Sequence, residues 1–187
     1  MEIVSLIIAV AGGIPGVIGT VQFLRNRRRI HFVCSTRLAG HFTGSGGIEE
    51  WVLLLSGWIT NPGKTPIHPI SYEAKCKVRN KWVTLKPILI PPQFVFKGES
   101  QVIDIESPAN KDLVRETAPL ANSVPRFGHL LFIVPESAAQ DIYKSEGRLL
   151  IELICVDSLE RRWRARFVLP KGPLSEVVFP HLGIQVK

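Results

Sequence analysis

Arg148–Leu169 reads RLLIELICV-DSLE-RRWRARFVL, and its pattern decides the fold. Side chains alternate between the two faces of a strand. In the returning arm Trp163, Ala165 and Phe167 share one face, and Arg162, Arg164 and Arg166 share the other. In the outgoing arm Leu149, Ile151, Leu153 and Cys155 form the apolar face and leave Glu152 opposite. Matching the apolar faces requires an odd loop, of three or five residues. That register sets Glu152 across from Arg164 or Arg166, a cross-strand ion pair worth at most about 1 kcal/mol.

The same period of two runs upstream. Ile30–Phe42 opens with IHFVC, rich in strand formers. Glu50–Thr60, EWVLLLSGWIT, is apolar on both faces and belongs in the middle of a sheet. Asn61-Pro62-Gly63-Lys64 reads as a type II turn, with glycine taking the positive φ of its third position. Ser71–Arg79 alternates cleanly, Asn80-Lys81 turns the chain, and Trp82–Leu85 returns beside it. Two short apolar runs flank Lys97–Ser100, residues 107–125 read as a long loop with one helical turn, and Phe127–Val134 is a further strand. Ala138–Lys144 is a short helix, with Glu136 placed where the helix dipole favours a carboxylate. Residues 170–187 carry three prolines and read as a docked tail. Seven to nine short strands without alternating helices predict a mainly β chain, an antiparallel sandwich of immunoglobulin type.

The first 29 residues are of another kind. Ile3–Leu24 holds 22 residues without a charge, which as a helix span roughly 33 Å, enough for the hydrocarbon core of a bilayer. Arg25, Arg27, Arg28 and Arg29 follow at once. A cleaved signal peptide needs a basic stretch before the apolar run and small residues after it. Here the order is reversed, so the segment reads as a retained, single-pass transmembrane helix. Arginines hold their side of a membrane segment in the cytosol. The N-terminus is therefore expected outside and residues 30–187 in the cytosol, at the cell membrane. Gly12, Gly16 and Thr20 recur every fourth residue, a spacing that allows two such helices to approach closely as a homodimer.

The sequence thus divides into an anchor with a basic flank, 1–29, and a β domain, 30–187, long enough for a core without crosslinks. Net charge is +7. Of 23 basic and 16 acidic residues, four arginines and Glu2 belong to the anchor, which leaves a mildly basic domain of 19 and 15. Cys34, Cys76 and Cys155 form no paired motif and read as reduced thiols.

The turn Asn61-x-Gly63-x-x-Pro66-Ile67, the late hairpin carrying Asp157, Arg161 and Trp163, and the uncharged helix followed by arginines resemble a known family. It comprises small bacterial single-pass membrane-anchored proteins with an immunoglobulin-like domain, of unassigned function. Glu160 stands where that family often has glycine. The resemblance implies the same anchor and sandwich and brings no activity with it.

His31 and Cys34 point to opposite faces of a strand, so metal binding is not expected. No GxSxG, GxGxxG or P-loop is present, and nothing in the sequence sets His68 or His129 beside a nucleophile. No cofactor and no catalytic set are expected. Arg162, Arg164 and Arg166, about 6.5–7 Å apart, form a row that suits an anionic partner or protects an edge strand. Aromatic residues are not interleaved on that face, which argues against nucleic acid. The expected function is a non-enzymatic binding module on the cytosolic face of the bilayer, docking a protein partner. The alternatives are an envelope-exposed adhesion or assembly domain of opposite topology, or a hydrolase with an unrecognised site.

Overall fold

The computed structural model describes residues 29–43, 49–90, 94–97, 102–105, 111–144, 149–169 and 174–178. The segment expected to be an anchor, with Gly12, Gly16, Thr20, Arg25, Arg27 and Arg28, lies outside the described residues. Among the described residues no helix is long and apolar enough to cross a membrane.

The chain is mainly β. Its strands are β1 (His31–Thr43), β2 (Glu49–Thr60), β3 (Pro69–Val78), β4 (Lys81–Ile88), β5 (Phe94–Lys97), β6 (Val102–Ile105), β7 (Arg126–Val134), β8 (Leu149–Asp157), β9 (Arg162–Leu169) and β10 (Leu174–Val178). A single helix among the described residues, α1 (Glu136–Lys144), follows β7. The strands form one hydrogen-bonded order, β6-β5-β10-β1-β2-β7-β4-β3-β8-β9.

Seven of these strands, β1-β2-β7-β4-β3-β8-β9, curl into a nearly closed barrel. Two features make the curl. β4 changes partner along its length: Lys81–Leu85 pairs with β3, and Lys86–Ile88 pairs with β7. Pro87 sits in the second half, so the strand that proline was expected to end instead turns the corner. The opposite seam is drawn together where Arg29 lies parallel to Arg164 and the Ile30 amide donates to the Arg164 carbonyl at 3.2 Å. Phe32 and Phe167 then meet across the seam at 5.2 Å between ring centroids. The core inside is built from inward residues of every barrel strand, among them Leu53, Tyr72, Leu85, Phe132, Leu153 and Trp163. Ala138, Ala139 and Ile142 of α1 pack onto it.

β2 lies between β1 and β7, as its two apolar faces require. Val52, Leu54 and Leu131 are buried on the face opposite the core. Three local readings are corrected. The β3–β4 turn falls one residue early, on Arg79 and Asn80, whose φ values of 44° and 65° make the two-residue turn that suits a hairpin's twist. Gly63 does not take a positive φ. It donates its amide to Asn61 Oδ1 at 2.9 Å, and a Cβ there would stand 3.1 Å from that oxygen. The C-terminal stretch is more than a tail: β10 pairs parallel to β1 and antiparallel to β5.

Candidate functional site

The last hairpin takes one of the two expected registers, with Glu152 opposite Arg166 and Cys155 opposite Trp163. The Asp157 amide donates to the Arg161 carbonyl and leaves Ser158-Leu159-Glu160 as a three-residue loop. Such loops end on a left-handed residue. Glu160 fills that position with a φ of 57°, which is why glycine is favoured there. Asp157 is 1% exposed and accepts from the amides of Leu159 and Arg161, the Arg161 Nε–H and the Trp163 indole. Burial pushes its pKa up, but these donors outweigh burial and hold the carboxyl below its ordinary value. Asn61 does comparable work next door. Its amide donates to the carbonyls of Thr65 and Leu120, and Ile67 bridges Leu120. The residues carrying the family resemblance therefore build turns.

The arginine row lies on the outer face of β9 and borders a cleft of about 1100 Å³ at the seam. Arg29, His31, Val33, Glu152, Arg161, Arg162, Arg164 and Arg166 line it. Two sets of residues read separately from the sequence, the basic flank and the row, thus meet at Arg29 and Arg164. Glu152, buried, accepts from Arg166 Nε at 2.8 Å and stands 4.0 Å from Arg164. Arg162 reaches Glu73 at 3.1 Å. The three row side chains remain about half exposed. Arg166 lies over the Trp82 ring and Arg161 over the Trp163 ring. A guanidinium fixed by one carboxylate or one ring still presents N–H groups to a second acceptor, so these side chains could meet an anion in the cleft, whose lining also includes Glu152 and Glu160.

A second constellation escaped sequence reading. His129 Nδ1 and Ser56 Oγ are 2.7 Å apart, on directly opposed residues of β7 and β2, and both are buried. Burial, and Lys111 nearby, lower the His129 pKa, partly offset by Asp112. Asp112 is itself buried and occupied by the amides of Ile90 and Val114. The signal was present: Ser56 and His129 are polar residues set midway through otherwise apolar strands.

Burial raises the Cys76 thiol to about 11 and Cys155 to about 12, which keeps both protonated at neutral pH. Among the described residues no group of three or more His, Cys, Asp and Glu side chains is placed to hold a metal ion. No protein-family model and no curated protein matches the chain.

Proposed function

We propose that this chain is a membrane-tethered, non-enzymatic binding module on an immunoglobulin-like sandwich, with residues 30–187 on the cytosolic side. The strand order supports the sandwich: β1-β2-β7 and β3-β8-β9 can be read as two layers joined by β4, which pairs with β3 and then with β7, and Arg29, just before β1, lies parallel beside Arg164 of β9. The observation that carries the function is the convergence of Arg29 with Arg162, Arg164 and Arg166 on one cleft at the point where the chain leaves its uncharged segment. A contact surface beside a tether acts at high effective concentration on whatever lies at the membrane. Crosslinking and pull-down of the full chain, against an anchor-only control, tests the protein-docking part; identical captures from both would refute it. Protease access to a site placed beyond residue 170 in sealed membranes tests the sidedness, and access from outside would favour the adhesion reading.

The Ser56–His129 hydrogen bond favours one second reading, a hydrolase. Its test is covalent labelling by a fluorophosphonate probe. Labelling of the native chain that is lost in Ser56→Ala would establish it.

A further inference from the structure

We infer that the end of the barrel where Arg29 enters is itself a bilayer-contact face, built to rest on anionic lipid headgroups. This inference rests on the tethered reading above and names the surface that the domain turns towards the membrane.

Four segments gather at this end and are tied by hydrogen bonds. Ile30 donates to Arg164. The 61–67 loop is joined to the 120–123 loop through Ser123 to Asn61 and through Ile67 to Leu120. The hairpin turn is joined to His68 by the Ser158 amide. Thr60 pairs with His31. The loops are therefore a rigid platform.

The platform carries two kinds of side chain. Leu159 is 68% exposed at the tip of an otherwise polar turn, and Val124 is 57% exposed at the tip of its loop. Trp58, 47% exposed, stands against Phe127 and is paired across the sheet with exposed Val33. Single exposed apolar residues are ordinary. Here they share one end with the cations Arg29, Lys64, Arg162 and Arg164. Apolar tips and an indole among arginines fit the headgroup layer, where tryptophan is favoured and each cation adds attraction to anionic lipid.

Chain length sets the distance. Four residues lie between Leu24 and Arg29, so Arg29 stands at most about 18 Å from the end of the uncharged run. With a Debye length of about 8 Å, the arginines feel the anionic surface when that short linker is not drawn out, and the same slack allows the tips to touch it. An acidic protein in the cleft is the competing occupant, but it would leave Leu159 and Val124 unaccounted for.

The test uses the full chain in lipid nanodiscs of phosphatidylcholine alone or with one-third phosphatidylserine. Amide hydrogen exchange is followed in 118–126 and 157–163, with the centre of β2 as the folding control. The expected result is exchange slowed about fivefold at both tips in anionic discs, reversed by high salt and abolished by L159E, V124E or R164Q. All three positions are exposed, and the β2 control reports that each variant stays folded. Equal exchange in the two lipids, with β2 protected, overturns the proposal. So does protection by added polyglutamate in neutral discs without protection by anionic lipid. A chain that is not retained in discs refutes the tether instead. Flotation of that chain with vesicles then decides the face: salt-sensitive binding to anionic vesicles sustains it, and no binding overturns it.

Discussion

Asp157 and Glu152 are two buried carboxylates five residues apart on β8, and they are used in opposite ways. Asp157 collects four donors, all from its own turn and the first residues of β9. Its acceptor capacity is spent on architecture. Glu152 takes one close bond from Arg166 and stands near Arg164, and the guanidiniums around it keep half their surface in solvent. A buried charge satisfied from within its own turn fixes shape. A buried charge satisfied from outside positions other charges, and that is how a cleft acquires an oriented cationic wall.

The contrast can be broken from either side. Removing Asp157 strands a buried indole N–H and two amides, so Asp157→Ala should cost about 3 kcal/mol in urea unfolding. Glu160 strains the same turn, and Glu160→Gly should stabilise by about 1 kcal/mol, read as a rise in melting temperature. Replacing Glu152 should act differently. Glu152→Gln should change stability by about 1 kcal/mol or less, because the amide oxygen keeps an acceptor for Arg166 Nε, no buried charge is stranded, and Arg164 and Arg166 remain about half exposed. It should strengthen retention on anionic vesicles, since the cleft gains a net positive charge.

Titration sharpens the same contrast. Asp157 has a lowered folded pKa, so its contribution is present above its unfolded pKa and is lost as pH falls through the folded one. His129 is also lowered, so the unfolded chain binds its proton first and stability declines as pH drops below about 6.5. Melting temperature against pH should therefore show a mild limb below pH 6.5 and an acid limb. His129→Gln should flatten the first and leave the second, and Asp157→Asn should do the reverse.

Much of this was legible in the sequence where local period and turn chemistry decide the outcome. The face assignment of Trp163, Ala165 and Phe167 narrows the hairpin to two registers, with Glu152 opposite Arg164 or Arg166, and the three-residue loop selects Arg166. The doubly apolar run around Leu54 placed β2 inside the sheet. What stayed hidden depends on pairings distant in the chain. Ser56 meets His129 across 73 positions. Arg29 meets Arg164 only after the barrel curls. At Gly63 an Asx bond, from the glycine amide to Asn61 Oδ1, replaces the expected type II geometry. β10 leaves little trace in the sequence, because three prolines around a five-residue strand weaken every local signal.

The seam between Ile30 and Arg164 also orders events in time. The two residues are 134 positions apart. At a synthesis rate of about 5–20 residues per second, β1 waits roughly 7–27 s for the strand that closes against it. β2 can engage one edge of β1 early, but the other edge stays open until nearly the whole chain has emerged. A chain held at a membrane by its first residues would spend that interval with a strand edge and Phe32 unpaired beside the lipid. Maturation is then limited by the arrival of β9 at the seam and of β10 along the rest of that edge, and truncation before residue 164 should yield an aggregation-prone open sheet.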